Sequence, residues 1–184
     1  MAYKVTVDAG HGGEYPNGDP GAVSEKYHEA DANLAIAKKV QKKLKAAGYS
    51  VKMTRTKDKN VTLKERCRIS NEFDSDLFIS IHLNSSGNPA ANGIETLRYP
   101  RVGQRTKDLT NNVQTELVAA LGWRDRGVKT RSDLYVLKHT ATSACLIECG
   151  FISNSAERKK LFTDKWQEKI AKAIVKAVEK TLKN

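Results

Sequence analysis

The amino-acid sequence predicts an α/β fold: a mixed, mostly parallel twisted sheet of about six strands, with helices on both faces. Short apolar runs typical of strands alternate along the chain with amphipathic segments typical of helices. The chain has 184 residues, which is long enough to bury the core of one domain. We therefore expect a single domain over residues 1–184.

The first half of the chain predicts three strands and two helices. The strands are expected over residues 3–8, 50–54 and 77–82. A helix over residues 31–47 places its apolar residues on one face and its lysines on the other, and Gly48 ends it. Thr62 and Glu65 have the spacing of a capping box, which predicts a second helix that runs to about Phe73.

The second half predicts further strands and helices in alternation. The strands are expected over residues 94–99, 134–137 and 144–149, with the first as a candidate edge strand after a turn at Asn92 and Gly93. The helices are expected over residues 106–121 and 155–161, followed by a final helix whose buried stripe runs from Trp166 to Ala177. Residues 12–28 and 122–133 have no regular pattern, and long loops in compact domains often carry function. We expect both stretches to flank the functional site.

Polar side chains stand where three of the predicted strands end. His11 follows the first strand, His82 closes the third, and Glu148 follows the apolar run at residues 144–147. In open α/β sheets, ligands bind beyond the carboxyl ends of the strands. Two imidazoles and a carboxylate that arrive there from different strands indicate a metal site with a catalytic acid beside it. The Gly-rich turn at residues 10–13 allows the backbone to approach a ligand closely.

The residues alone leave the third metal ligand open. Catalytic zinc sites use three protein ligands and leave one position for water. Glu29 stands at the mouth of the first helix, His28 is a rival beside it, and Glu148 could be either a ligand or the general acid/base. Simpler interpretations exist: Glu29 could favour the helix dipole, His82 could be a core histidine, and His11 could belong to a turn or a phosphate-binding loop. A buried acid such as Glu148 is costly unless the protein uses it.

The chain is strongly basic, with a formal net charge of +11 and a pI of about 9.6. This charge suits a polyanionic partner such as a nucleic acid, an acidic membrane or an anionic cell wall, although many lysines could simply cover solvated helix faces. The chain has no recognised nucleic-acid motif, so no nucleic-acid partner is expected. It also has no apolar stretch long enough to span a bilayer, so no membrane insertion is expected.

The three cysteines, Cys67, Cys145 and Cys149, do not indicate a disulfide framework because their number is odd. Cys67 lies in a helical pattern and the other two lie on one apolar strand, so all three are expected to be small buried hydrophobic residues. His139 is expected to be an exposed loop residue.

Several short segments carry a resemblance to a known family when they are taken together. They are VDAGHGG at residues 7–13, EADANL at 29–34, TR at 54–55, residues 63–66 with Asn71, DLFISIH at 76–82, GIET at 93–96 and IECGFISN at 147–154. In this order they resemble the zinc-dependent N-acetylmuramoyl-L-alanine amidases, a family that includes many bacterial autolysins and phage endolysins. Each segment alone is a weak signal, but together they are specific and span almost the whole chain.

The resemblance implies one Zn²⁺ per chain, with His11, Glu29 and His82 as its ligands and Glu148 as the catalytic glutamate. The family hydrolyses the amide between the lactyl group of N-acetylmuramic acid and the L-alanine of the stem peptide. Zinc would lower the pKa of its water toward ~7 and polarise the scissile carbonyl. Glu148 would take the proton of the water and return it to the leaving amine. Ligand imidazoles usually need an acceptor on their other nitrogen, and the sequence does not identify one.

Departures from the family pattern are small. Ser70 and Ser75 stand where small apolar residues are common, and Leu83 stands where alanine is frequent. Cys149 follows Glu148 at a position that is usually apolar. Side chains alternate along a strand, so Cys149 should point away from the metal if Glu148 points toward it.

The expected partners are peptidoglycan and, through the basic surface, anionic wall polymers, and a monomer is expected. No secretory signal precedes the first strand. We therefore expect either a phage endolysin released through a membrane lesion or a catalytic domain excised from an exported autolysin. Two alternatives remain: a zinc peptidase that cleaves an ordinary peptide bond, and a basic binding module with no catalytic metal.

Overall fold

The predicted six-stranded sheet is present in a computed structural model of the chain, which describes residues 2–14 and 16–183. The strands are β1 (Lys4–Ala9), β2 (Val23–Ser24), β3 (Tyr27–His28), β4 (Ser50–Met53), β5 (Leu77–Asn84), β6 (Ile94–Arg98), β7 (Asp125–Thr130) and β8 (Ser143–Phe151). The helices are α1 (Glu29–Ala46), α2 (Leu63–Glu72), α3 (Gln104–Leu121), α4 (Tyr135–His139), α5 (Ser155–Leu161) and α6 (Asp164–Lys183). Strands β2 and β3 form a separate hairpin.

The strand order in the main sheet is β4-β1-β5-β8-β6-β7. Strands β4, β1, β5 and β8 are parallel, whereas β6 runs antiparallel to β8 and β7 is parallel to β6. This arrangement confirms the mixed, mostly parallel sheet. It brings the carboxyl ends of β1, β5 and β8 to one edge, together with the amino end of β6.

Helices cover both faces of the sheet, as predicted. Leu77, Ile79 and Ile81 of β5 point to one face and join the main hydrophobic core with residues of α1, α3 and α6. Phe78 points to the other face and packs with residues of α2 and α4. This alternation is the expected consequence of the two-residue period of a strand. Among the described residues, no helix is both long enough and apolar enough to cross a membrane.

The predicted start of α2 at a capping box and the predicted end of α3 at a glycine are both confirmed. The Thr62 hydroxyl accepts a hydrogen bond of 3.2 Å from the Glu65 amide at the start of α2. Gly122 ends α3 with a φ of 65°, in the left-handed region where glycine has no steric penalty. The three cysteines are buried and free, and burial raises the pKa of the Cys145 and Cys149 thiols.

Three predictions about the second half of the chain are wrong. Strand β6 is an interior strand, because residues 122–133 contain β7, which pairs along its outer side. The sequence of β7 is polar and contains a glycine, so it lacks the alternating apolar pattern of a half-buried strand. Residues 134–137 form the N-cap and the first three residues of the short helix α4 rather than a strand. A short apolar run fits either structure, so periodicity could not separate them.

Candidate metal centre

His11, Glu29 and His82 form a compact cluster at the carboxyl edge of the sheet. One nitrogen from each ring and one carboxylate oxygen all lie within 4.8 Å of one another. Nε2 of His11 lies 3.3 Å from Glu29 Oε1, and Nδ1 of His82 lies 3.0 Å from the same oxygen. The two rings meet edge to face, with centroids 4.9 Å apart. The structure therefore brings together the three side chains that the resemblance implies as metal ligands.

Glu29 is buried at the first residue of α1, and backbone amides hold its carboxylate in place. The amide of Leu83 donates to Oε1 at 3.0 Å, and the amide of Ala22 donates to Oε2 at 2.9 Å. Burial raises the pKa of Glu29, but hydrogen bonds from His11 and His82 outweigh burial and hold it well below its usual value. Glu29 is therefore an ionised, oriented carboxylate that could hold a metal ion, and it does more than complement the helix dipole.

Asp19 is a residue of this site that the sequence did not reveal. Its Oδ2 lies 2.6 Å from Nδ1 of His11, and its Oδ1 accepts a hydrogen bond of 3.0 Å from the Gly21 amide. A carboxylate on the second ring nitrogen fixes the tautomer and orientation of a metal-binding histidine. Burial lowers the pKa of His11, but Glu29 and Asp19 outweigh it and raise that pKa to about 9 in the metal-free protein. The only sequence signal was an acid before Pro20 and Gly21 in an irregular stretch.

Two arginines hold the backbone that carries His11. Arg66 donates to the Asp8 carboxylate at 2.7 Å and to the carbonyl oxygens of Ala9 and His11 at 2.6 and 2.8 Å. Arg55, which is 1% exposed, donates to the carbonyl oxygens of Ala9 and Gly10 at 2.9 and 3.0 Å. His11 has a φ of 58°, a left-handed conformation that costs a residue with a side chain about 1–2 kcal/mol. The buried guanidinium groups stabilise the turn that imposes this strain.

Glycines leave the space that the cluster occupies. A Cβ atom on Gly10 would lie 2.3 Å from the His82 ring. A Cβ atom on Gly21 would lie 2.7 Å from both Glu29 Oε2 and the His11 ring, and Gly21 also has a φ of 70°. Any larger residue at these positions would displace a side chain of the cluster.

Glu148 lies beside the cluster without belonging to it. Its Cα pairs with that of His82 across β5 and β8, so the two side chains are direct neighbours on one face of the sheet. Its Oε2 is buried and has no hydrogen-bond partner among the described residues. Burial raises the pKa of Glu148 to about 7, and the charges of Glu29 and Glu95 add to this effect. The carboxyl group can therefore gain or lose a proton near neutral pH.

Glu95 is a second acid beside Glu148 on the sheet, and its pKa is shifted in the opposite direction. It pairs with Glu148 across β6 and β8, but Arg126 and Lys129 donate to its carboxylate at 2.7 and 2.6 Å. Burial raises the pKa of Glu95, but these ion pairs outweigh burial and lower it. Two neighbouring carboxylates thus have opposite pKa shifts, so Glu148 can change its protonation state near neutral pH whereas Glu95 stays ionised.

A cleft of about 480 Å³ opens onto this group of residues. His11, His82 and Glu148 line its floor, and residues 60–63 and 133–136 form its walls. Leu63 and Tyr135 are 53% and 37% exposed, so each wall presents an apolar side chain to a ligand. Asp19 and Asp133 also line the cleft, which places both irregular stretches of the sequence beside the site.

Other candidates from the sequence lie outside the cluster. His28 precedes α1 and contributes no ligand atom, so Glu29 rather than its neighbour joins the two imidazoles. His139 is exposed and stacks on Tyr135, but it ends α4 and does not lie in a loop. Cys149 is fully buried in the core behind the sheet, and thus points away from the cluster as strand alternation predicted.

The cluster suits a metal ion that accepts nitrogen and oxygen ligands. Two imidazole nitrogens and one carboxylate oxygen are a known donor set for catalytic zinc, which leaves a coordination position for water or substrate. The donor atoms converge, the carboxylate is ionised, and one imidazole has an acceptor on its other nitrogen. An α/β domain with this cluster at the carboxyl edge of its sheet has the donor set that a metal-dependent hydrolase requires.

Comparison with known proteins identifies the family. The profile of the N-acetylmuramoyl-L-alanine amidases matches residues 5–180, and the chain belongs to this family. It is 41% identical over 176 residues to the uncharacterised protein YqiI of Bacillus subtilis, covering 95% of this chain and 82% of YqiI. It is 37% identical over 172 residues to the amidase LytC of the same organism, covering 92% of this chain but only 34% of LytC.

A solved structure shows the same fold. The N-acetylmuramoyl-L-alanine amidase from Clostridium difficile 630 superposes with a TM-score of 0.94 at 36% sequence identity, covering 100% of this chain and 98% of that one. The predicted fold class and the resemblance drawn from the sequence are therefore both confirmed.

The contact between Asp19 and His11 leads to a prediction about metal affinity. Asp19→Asn should keep the fold but weaken zinc binding by about 10–100-fold, because the His11 ring loses its charged acceptor. Competition with a chromophoric chelator would measure the affinity. Asp31→Asn is the matched control, since it removes one exposed acid from the first turn of α1 without touching the cluster. Equal affinities in the two variants would contradict the role of Asp19.

Proposed function

We propose that this chain is a zinc-dependent N-acetylmuramoyl-L-alanine amidase that cleaves the amide between N-acetylmuramic acid and the L-alanine of the stem peptide. The observation that carries the proposal is the buried oxygen of Glu148, which has no hydrogen-bond partner among the described residues and lies beside the His11, Glu29 and His82 cluster. A basic binding module has no use for a costly buried carboxyl group at this place.

Each side chain of the site would have its own role in the hydrolysis of the amide. His11, Glu29 and His82 would hold one Zn²⁺ per chain, and Asp19 would orient the His11 ring. When bound, the zinc ion would supply an acidified water and polarise the scissile carbonyl. Glu148 would remove a proton from the attacking water and deliver it to the nitrogen of L-alanine as the amide breaks.

Further features of the proposal concern the whole chain. Residues 1–184 would form one catalytic domain that acts as a monomer on peptidoglycan. The site of action would be the bacterial wall, reached either as a phage endolysin through a membrane lesion or as part of an exported autolysin. The net charge of +11 supports anionic wall polymers as additional partners.

Digestion of purified peptidoglycan tests the reaction. We expect new free amino groups on L-alanine and glycan strands of unchanged length, identified by mass analysis of the soluble fragments. Chelation should abolish the release, and added Zn²⁺ should restore it. New amino groups on other stem residues would instead identify a zinc peptidase, and shortened glycan strands would contradict both assignments.

A further inference from the structure

The last helix carries a continuous stripe of lysines. From Lys165 onward, every exposed residue of the described part of α6 is a lysine. The stripe consists of Lys165, Lys169, Lys172, Lys176, Lys180 and Lys183. Spacings of three and four residues keep these positions on one side of the helix, over a length of about 27 Å. Like charges at these spacings repel one another, so the stripe opposes helix stability unless an anion neutralises it.

Two of the three acidic residues of α6, Asp164 and Glu168, form their ion pairs with α1 rather than with the stripe, and the third, Glu179, forms no ion pair with any described residue. Asp164 binds Lys39 at 2.5 Å, and Glu168 pairs with Lys43. Each of these ion pairs joins α6 to α1 and leaves the outer face of α6 to the lysines.

Only part of the stripe has a partner within the protein. Glu116 of α3 binds Lys176 at 2.8 Å and also pairs with Lys180. Lys165, Lys169 and Lys172 form no ion pair with any residue in the described part of the chain. Lys169 Nζ lies 4.8 Å from the centroid of the Trp166 ring, a contact that brings no negative charge to it. These three ammonium groups lie on about two turns of helix and are available to an external anion.

A groove runs beside the stripe, between α3 and α6. Its volume is about 320 Å³. Ala119 and Ala120 of α3 are exposed and provide its apolar surface, with the buried Ala173 of α6 at its base. Lys169, Lys172 and Lys176 provide the charged wall, and Glu116, the partner of Lys176, also lines the groove. A ligand that fits this groove combines anionic groups with short carbon linkers.

The stripe is separate from the catalytic cleft. Helices α3 and α6 pack on the face of the sheet that carries the main core, whereas the cleft walls belong to the start of α2 and to α4 on the other face. A polymer held by α6 would therefore leave the cleft open to peptidoglycan.

The chemistry of the stripe favours a flexible polyanion over a bilayer. The large exposed hydrophobic residues of the described chain are Tyr3, Val23, Leu63 and Tyr135, and none lies on α6. The helix therefore lacks the apolar anchors with which interfacial helices enter a membrane. The stripe also contains only lysines, whose mobile point charges suit tetrahedral phosphate groups in changing orientations, whereas arginine would favour a fixed planar geometry.

We propose that the lysine stripe of α6 and the groove beside it form a docking surface for a linear phosphodiester polymer of the cell wall. The polymer runs along the helix with its phosphate groups near Lys165, Lys169 and Lys172, and its carbon linkers contact the alanines of the groove. The inference rests on the proposed function only in placing the partner in the wall.

A pair of charge-matched variants tests the docking surface. The stripe variant is Lys165→Gln, Lys169→Gln and Lys172→Gln, and the control is Lys52→Gln, Lys107→Gln and Lys138→Gln at exposed positions elsewhere. The whole chain would be titrated with poly(glycerol phosphate) over a range of salt concentrations. The stripe variant should bind at least ~10-fold more weakly, and its negative slope of log K against log salt should become shallower by about 2 if three contacts are lost. The control should stay close to the parent protein.

The outcomes separate the docking surface from the alternatives. Equal losses in the two variants would show that net charge alone drives binding and would overturn the proposal. Equally tight binding of polyglutamate or DNA by the stripe would overturn the phosphodiester wall polymer as its partner, and so would a stripe-dependent attraction to anionic phospholipid vesicles that exceeds polymer binding. Both variants should hydrolyse a small soluble muropeptide like the parent. If the parent itself fails on that substrate, the proposed amidase function fails while the binding result stands.

Discussion

Glu148→Gln should leave the metal affinity unchanged but lower kcat by at least ~10²-fold, the usual contribution of a positioned acid/base. Glutamine keeps the size of the side chain but cannot exchange a proton with water and the leaving amine. The metal content of the purified variant and its kcat on a soluble muropeptide would be measured together. A parallel loss of metal would mean that Glu148 is a ligand rather than the acid/base.

Glu95→Gln is the matched control for this substitution. Glu95 lies next to Glu148 across β6 and β8, but its ion pairs with Arg126 and Lys129 keep it ionised. Its replacement should cost much less in kcat than the replacement of Glu148. An equal loss in both variants would contradict the division of roles between the two acids.

The pH dependence of kcat should reflect the pKa of Glu148 and its interaction with the charge of Glu95. Burial raises the pKa of Glu148 to about 7 in the metal-free protein, and a bound dication nearby would lower it. Glu148 must be ionised to accept a proton, so kcat should fall on the acidic side, at a pH below about 7. Removing the negative charge of Glu95 should move this fall to still lower pH, because the charge of Glu95 disfavours the ionised form of Glu148.

Sequence patterns predicted the parts of the fold that bury a regular apolar face. Strand β5 is buried on both faces and α6 has a wide apolar stripe, so both are visible in the sequence. Strand β7 is a polar edge strand, and α4 has only five residues, so neither has enough buried surface to impose a period. The error on β7 also led to the wrong assignment of β6 as an edge.

For the candidate site, too, residues placed by regular strands could be predicted, whereas those placed by a helix start or a loop could not. His11, His82 and Glu148 could be placed together because parallel strands bring their carboxyl ends to one edge. Glu29 starts a helix, and strand topology does not fix where a helix start lies, so its place in the cluster was implied only by the family resemblance. Asp19 depends on the path of an irregular loop, with one bridge between Gly12 and Asp19, and no periodic pattern encodes that path.

His11→Ala and His82→Ala should each abolish stable zinc binding and activity while the domain stays folded. Each substitution removes one of the three proposed ligands, so the loss of affinity should exceed the ~10–100-fold expected when only an orienting residue is lost. Zinc should raise the melting temperature of the parent, because a ligand that binds only the folded state stabilises it. This rise should disappear in both variants, which gives a readout independent of catalysis.

His28→Ala and His139→Ala are the matched controls, because both histidines lie outside the cluster. His28 is next to Glu29 in the sequence, and His139 stacks on Tyr135 with ring centroids 4.1 Å apart. Both controls should keep the parent's zinc-dependent rise in melting temperature. Circular dichroism would confirm that all four variants fold, since the main core packs on the sheet without either ligand imidazole. Full zinc occupancy in both His11→Ala and His82→Ala would show that the metal binds elsewhere, and loss of the rise in His28→Ala would reopen the choice between His28 and Glu29 as the third ligand.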